Sequence, residues 1–539
     1  MDRITLSAML AHHRPREPGA PVLTDDRRSL DLAAFEALVR RAVAWLHGQG
    51  IGRGDRVGVW LPNRVEWLVL LFALARLGAT LVSINTRYRA AEVAYLLERS
   101  GARLLVLQGA LRGVDFPAVL AGIEPGTVPA LERIAVLADP AARPAHLLGR
   151  PTLGFHLADL PPDPGPDDPA AAHCGDPESI AILFTTSGTT RRPKLVMHTQ
   201  HTLACHAAHV ARANRLDAPG ACLLGALPLC GTFGLTGVLA ALSAGAPVVL
   251  VESFDGANAA RLVRERAVTH AYGSDEMFRR MLDAAPGPRP FPSARVFGFA
   301  AFQPGAAEFA KAAVARDVPM LGLYGSSEVQ ALFAIQDPAE GVDARVEGGG
   351  VPAAPDASVR IRDMETGELV GPGIDGEIEI RAPGNFVGYL NDAQATASAI
   401  DPEGFFRTGD IGHLRSDGSF VYLTRRGDAI RLGGFLVNPG EIEDELGALA
   451  GVAGAAVIAV EIDGRARCVA FVVREAGAAI EEAALIEAAR NRMAGFKVPA
   501  RVWFVDALPV TASANGTKVQ RARLREMAME RLDAPAGGD

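Results

Sequence analysis

Cysteine is scarce in this chain. Its five copies (Cys174, Cys205, Cys222, Cys230, Cys468) form no CxxC pair and no other metal-ligand spacing. Free thiols in a reducing cytoplasm account for them most simply. Excess positive charge is also missing. The net charge is −8, which argues against nucleic acid as the main partner, so a bound nucleotide would need a local basic site. An unbroken apolar run is absent too. Ala218 to Val251 carries no charged residue, but Pro228, Pro247 and glycines at 220, 225, 231, 234, 237 and 245 interrupt it. It reads as a buried strand, loop, helix and strand, with no membrane span. The opening Met1-Asp2-Arg3-Ile4 carries an acid early and no long apolar core, so no signal peptide is expected. A cytoplasmic location follows as the expectation. The Walker A spacing is missing as well.

What is present is ordinary globular material. Hydrophobic residues make up 49% and charged residues 22%. At 539 residues the chain exceeds a single core, so two or more domains are expected. Arg56–Leu61 reads as a strand, Asn63–Leu77 as a helix stopped by Gly78, and Ala79–Ile84 as the next strand. This βαβ rhythm argues for a parallel sheet covered on both faces. It returns later: Leu71–Asn85 lines up without gaps on Val238–Glu252, each an apolar helix ending at Gly-Ala and feeding a buried strand. Two topologically similar subdomains would produce that echo. Pro161–Pro177 reads as an exposed connection. Beyond residue 320 the pattern turns β-rich, with strands at 357–362, 376–381 and 419–424. Asn438-Pro439-Gly440-Glu441 then predicts a helix start, with Asn as N-cap and Pro at the first position. A small α+β domain of about 110 residues, hinge included, fits the remainder of the chain.

One stretch stands out chemically. After the apolar run Ile180–Phe184 comes Thr185-Thr186-Ser187-Gly188-Thr189-Thr190-Arg191-Arg192-Pro193-Lys194. Hydroxyls and unblocked backbone N–H groups can donate to phosphate oxygens, and Lys194 adds a mobile positive charge. By itself the stretch is either an anion cradle or a Ser/Thr-rich surface loop.

With its companions, it resembles the phosphate loop of the adenylate-forming superfamily, which includes acyl-CoA synthetases, nonribosomal adenylation domains and luciferases. Tyr324-Gly325-Ser326-Ser327-Glu328 resembles that superfamily's Y-G-x-[TS]-E motif, and Thr408-Gly409-Asp410 its T-G-D motif. Arg425, Asp428, Gly434-Phe435, Pro439 and Glu441-Ile442-Glu443 resemble its hinge and following helix. Leu508-Pro509, Thr511 and Gly516-Thr517-Lys518-Val519 resemble its C-terminal lysine motif. The five matches keep the family order and span most of the chain.

The resemblance implies an α/β enzyme. It has a large N-terminal domain (1–426) with two related αβαβα sheet subdomains and a β-rich subdomain. A small mobile α+β domain (427–539) lies beyond a hinge near 424–430. The family joins a carboxylate to AMP, expels pyrophosphate from ATP, then commonly transfers the acyl group to CoA. Negative charge grows on the α-phosphate, so cationic donors must face it. By resemblance, Thr186, Ser187, Gly188, Thr189, Thr190 and Lys194 grip the phosphates. Lys518 reaches the carboxylate and α-phosphate; otherwise it is an exposed lysine in a basic tail with Arg521, Arg523 and Arg525. Ser327 donates to the α-phosphate or caps its turn. Glu328 holds Mg²⁺ or is a surface acid. Tyr324, followed by Gly325, stacks on adenine or packs the core. Asp410 accepts both ribose hydroxyls or merely sits in a Gly-Asp turn. Arg425 reaches the ribose or is a linker charge. Gly427 stands at the usual charged hinge position, where glycine permits a backbone swing. Arg431 replaces a common lysine and would serve the second half-reaction.

Four departures from the family bear on what is activated. Arg191 and Leu195 replace glycines of the phosphate loop, which should stiffen it. Leu227-Pro228-Leu229-Cys230-Gly231-Thr232-Phe233-Gly234 has Cys230 for an aromatic and Gly231 for a histidine, so a pocket including Cys230, Gly231 and Phe233 should be more open. Tyr272-Gly273-Ser274-Asp275-Glu276-Met277 stands in place of G-x-P. Asp275 and Glu276 could face an amino or hydroxyl group of the substrate, or Ser274 could cap a helix whose N-terminus favours the two acids. Val296–Phe302 replaces a small-residue strand beside the substrate at Gly298 and Ala300. There Phe299 and Phe302 suggest an apolar pocket wall, or core packing. An aromatic or medium apolar acid with CoA as acceptor is the leading expectation. A non-CoA acceptor, as in amide formation or nitrite activation for diazotisation of an aryl amine, is the alternative. A non-catalytic nucleotide- or acyl-binding relative is a third reading, motivated by Arg191 and Leu195. The oligomeric state stays open, a homodimer included.

Overall fold

The computed structural model describes residues 3–11, 19–166, 175–186, 193–300, 306–364, 366–425, 430–433, 435–437, 439–513 and 516–533. The chain divides into two compact units. One comprises Met1–Thr86, Ala94–Thr186 and Leu195–Thr424. The other comprises Arg87–Val93, Ser187–Lys194 and Arg425–Asp539.

The larger unit uses one motif twice. Arg56–Trp60 (β1), Val65–Leu77 (α1) and Thr80–Ser83 (β2) form the first copy, with β1 and β2 parallel and Val57 beside Leu81. α1 is buried from Val65 to Arg76; it is apolar on most sides, and its buried Glu66 is paired with Arg28 at 3.1 Å. Ile180–Thr186 (β3) joins the same sheet beside β2, nine-stranded among the described residues, and Lys194–Thr199 (β4) lies beyond it. Gln200–Ala213 (α2) comes next, capped by Thr199. Leu223–Gly225 (β5), Thr232–Ala244 (α3) and Val248–Leu250 (β6) form the second copy, with β5 and β6 again parallel. Gly78 ends α1 at φ 66° and Gly245 ends α3 at φ 73°. Both are left-handed caps that a Cβ would strain, so the echo in the sequence is an echo in the backbone. The charge-free stretch from Ala218 is the expected strand, loop, helix and strand. Among the described residues no helix is long and apolar enough to cross a membrane.

The second sheet has fourteen strands among the described residues. His270–Ser274 (β7), Val296–Ala300 (β8) and Met320–Ser326 (β9) continue it in parallel, with Asp275–Asp283 (α4) after β7. Gln330–Ile335 (β10) then turns back antiparallel against β9. From there the sheet is antiparallel, through Gly348–Pro352, Ser358–Arg362, Gly376–Arg381, Phe406–Leu414 (β11) and Phe420–Arg425. The turn from β9 to β10 is therefore the seam between the α/β part and the β-rich part.

The smaller unit is α+β. It holds the helix Pro439–Gly447, an antiparallel pair Val452–Ile462 and Arg465–Arg474, the helix Glu482–Arg492 and the strand Arg501–Phe504. Ile442, Leu446, Val472 and Leu485 give it a core of its own. The basic tail is itself a helix, Arg521–Asp533, and Arg521 pairs with Glu443 at 2.7 Å.

Candidate active site

Several of the larger unit's candidate residues sit at the carboxyl ends of parallel strands. β7 ends at Ser274, β8 at Ala300, β9 at Ser326 and β3 at Thr186, while the loop after β5 carries Cys230 and Gly231. Crevices outside strand carboxyl ends are where open α/β sheets bind ligands.

The turn carrying Ser327 and Glu328 is held from several sides. Ser326 Oγ accepts the N–H groups of Glu328 and Val329 at 3.2 and 3.3 Å. His198, the fifth residue of β4, donates from Nε2 to the Ser327 carbonyl at 2.8 Å. Its Nδ1 lies 3.3 Å from the Thr202 hydroxyl. Burial pushes the His198 pKa down to about 4, so the ring is neutral and can keep that division of donor and acceptor. His206, buried and lowered in the same way, donates to the Ala331 carbonyl at 2.8 Å. Gln330 adopts φ 62° and Leu332 φ 59°, an unfavourable region for residues with side chains. The Gln330 amide offsets that by donating to the Thr202 and Gly384 carbonyls at 2.9 and 2.8 Å. Strain stabilised by its surroundings is common where a backbone must present functional groups. Gly325 is required by close approach: a Cβ there would stand 2.6 Å from Ala331 Cα.

Two carboxylates are placed by tyrosines. The Tyr389 hydroxyl donates to Glu328 Oε1 at 3.0 Å, and Glu328 is only 6% exposed. The Tyr324 hydroxyl donates to Asp410 Oδ2 at 2.6 Å. The Thr-Gly-Asp motif has a backbone reason. The register of β11 slips here: Glu377 pairs with Ile411, but Glu379 pairs with Arg407. Gly409 takes up the slip at φ 69° and donates to Glu377 Oε1 at 3.3 Å. Such a bulge re-aims the next side chain, and that is Asp410. Thr408 Oγ1 accepts the Asp410 N–H at 2.9 Å and donates to the Ile378 carbonyl at 2.7 Å.

Several expectations are corrected or sharpened. Tyr324 is 5% exposed, and its ring meets Phe420 edge-on at 5.2 Å and Phe333 at 6.4 Å. Those contacts pack the ring against the core. Phe299 lies in the second core with Phe278 and Phe297, while Val296 and Ala300 pack against the first. Side chains alternate across a strand, so Phe299 points away from the face of Gly298 and Ala300 and is not a wall beside them. Ser274 Oγ accepts the Met277 N–H at 3.2 Å, so Ser274 caps α4, and fully buried Asp275 lies in that helix's first turn. This is the helix-start reading of the pair. Gly231 is the N-cap of α3, where the closest atom to an added Cβ is the Pro228 carbonyl oxygen at 3.7 Å. A Cβ would fit there without a clash. Ser83 donates to the Cys230 carbonyl at 2.6 Å, and half-buried Phe233 packs on the first core. Asn63 fastens the same loop, donating to the Leu227 carbonyl at 2.7 Å and accepting the Leu229 N–H at 2.8 Å. Cys222 and Cys468 are buried thiols whose pKa values rise to about 11 and about 12.

Lys194 is half-buried at the first position of β4, and Leu195 beside it is buried. In the smaller unit, Arg431 pairs with Leu436 and Lys518 with Thr511 in short hairpins. The side chains of Thr186, Arg425, Arg431 and Lys518 lie outside the described residues. So do Cys174, Ser187, Gly188, Thr189, Thr190, Arg191, Phe302, Gly427 and the N-cap Asn438. Among the described residues no three His, Cys, Asp or Glu side chains cluster as a metal site. Glu328 offers a single carboxylate, which suits a Mg²⁺ held mainly by phosphates and water. His198, Asn63 and Tyr389 were not evident from the sequence.

The family described as AMP-binding enzyme matches residues 10–390, and its C-terminal domain matches residues 441–515. A methyl-dioxo-octahydroindenyl-propanoyl:CoA ligase of Mycobacterium tuberculosis is 32% identical, over 94% of this chain and 95% of that one. An indoleacetate–CoA ligase of Aromatoleum aromaticum is 30% identical, over 97% and 98%. The amide bond synthetase McbA of Marinactinospora thermotolerans shares the fold at TM-score 0.80 and 24% identity, over 97% and 99% of the two chains. With both family regions matched in order, at 10–390 and 441–515, the chain belongs to the AMP-binding enzyme family and is an adenylate-forming ligase.

Proposed function

We propose that this ligase activates an aromatic or medium apolar carboxylic acid and passes it to CoA. The acid's carboxylate oxygen attacks the α-phosphorus of ATP, pyrophosphate leaves, and an acyl adenylate remains. The CoA thiol, having lost its proton, then attacks the acyl carbon, and AMP leaves. Support for ATP comes from the family, and support for CoA from the named ligases that align over nearly the whole chain. The observation that carries the reading is the pair of tyrosine-held carboxylates, Glu328 and Asp410, flanking the seam between β9 and β10. One suits a phosphate-bound Mg²⁺ and the other the paired ribose hydroxyls. Lys518 would supply positive charge to the α-phosphate, and Lys194 with the Thr186–Thr190 loop would hold the leaving phosphates. Arg431 would act in the second half-reaction, after a swing about residues 424–430 between domains 1–426 and 427–539. A cytoplasmic enzyme is in keeping with the chemistry.

The space at Gly231 favours one second reading, in which the acceptor is an amine or another small group. Product analysis separates the two. With an acid that releases pyrophosphate, CoA is added alone, then aryl amines, then nitrite. CoA thioester formation supports the main reading. Amide or diazo products with CoA untouched support the second.

A further inference from the structure

The deeper row of the β7–β8 face is filled by the chain itself. Ser274 pairs with Ala300 at the rim, and Tyr272 pairs with Gly298 one row below. The Tyr272 ring is wedged between strand and helix. A Cβ on Gly298 would stand 2.9 Å from Tyr272 Cδ1, and a Cβ on Gly237 of α3 would stand 3.0 Å from Cδ2. Both glycines therefore leave the width of one aromatic ring, and Tyr272 occupies it at 4% exposure. Its hydroxyl is anchored at the far end, accepting from Asn214 Nδ2 at 2.7 Å. Asn214 is fastened in turn, its carbonyl lying 2.8 Å from Nε2 of buried His270. Ring position and tilt are thus fixed by two glycines and one amide.

Small residues, Ser274 and Ala300, thus stand at the rim, with a locked ring one row beneath them. We propose that Tyr272 is the floor of the acid pocket and sets the acid's length. Compact acids with a single ring or a short chain are accepted, and long straight-chain acids are excluded. The inference rests on the reading that an acid enters at the carboxyl ends of β7 and β8. Truncating Tyr272 would open a channel between α3 and β8, lined on both sides by glycine.

The test is pyrophosphate release by the full-length protein with ATP and phenylacetate, octanoate or dodecanoate, for wild type, Tyr272→Phe, Tyr272→Leu and Tyr272→Ala. Wild type is expected to prefer phenylacetate over dodecanoate by more than about ten-fold in kcat/KM, the scale on which pocket size discriminates. Tyr272→Phe keeps the ring and the preference. Tyr272→Ala raises dodecanoate relative to phenylacetate by about ten-fold or more, with Tyr272→Leu between. Thermal melts establish that the variants fold, and if Tyr272→Ala does not, Tyr272→Leu and the wild-type ratio decide. Wild type using dodecanoate as well as phenylacetate overturns the inference. So does a folded Tyr272→Ala with an unchanged ratio. Release indifferent to chain length removes this inference alone, while no release with any acid removes the proposed function and this inference with it.

Discussion

The Tyr324 hydroxyl crosses from the last parallel strand to the antiparallel strand β11 and donates to Asp410 Oδ2 at 2.6 Å. The two residues lie 86 positions apart. Removing the hydroxyl leaves a buried carboxylate short of one donor, a cost of about 1–3 kcal/mol. Tyr324→Phe should therefore raise the KM for ATP several-fold while kcat changes less, because Asp410 is the proposed ribose acceptor. Steady-state kinetics with varied ATP measure it, and an unchanged KM would count against the ribose role.

His198 carries the next prediction. His198→Phe strips the Ser327 carbonyl of its donor inside the protein, which costs about 1–3 kcal/mol and loosens the turn bearing Glu328. Adenylation should fall by about ten-fold or more. His198→Gln keeps an N–H donor and should recover part of the loss. Equal rates for the two variants would show that the bond does not position the turn.

Acid should destabilise the fold through buried imidazoles. Burial holds His198, His206 and His270 at about 4, below the ordinary value of 6.5. Between those values the unfolded chain binds protons that the folded chain refuses, so stability falls as pH drops from about 6.5 towards 4. Denaturant melts across that window should show the decline, with a smaller slope in a His206→Gln variant that still folds. A flat profile would refute the neutral, buried assignment.

Gly409 should be intolerant of a side chain. At φ 69° an alanine is strained, and the expected loss is about 1 kcal/mol or more. Because the bulge aims Asp410, Gly409→Ala should also raise the KM for ATP. Gly409→Asn should be milder, since asparagine tolerates this conformation. Thermal melts and ATP kinetics on the two variants check both parts.

Local patterns were legible in the sequence where one segment holds all the information. The helix–Gly–strand echo ending at Gly78 and Gly245 is an example, as is the cap at Ser274. Phe299 was harder, because β8 is apolar on both faces and its alternation does not say which face meets which core. His198 was not legible at all: its partner carbonyl lies 129 residues away, and nothing local marks the pairing. The basic tail hid a helix for a similar reason, since Arg521 finds Glu443 only 78 residues upstream.

Pyrophosphate release from ATP, measured with and without a panel of carboxylic acids, tests the central claim most directly. The expected release depends strictly on a carboxylic acid, yields an acyl adenylate that CoA converts to a thioester, and disappears in Lys518→Ala. Release independent of any acid, or none across a broad panel in the folded wild-type protein, would contradict it.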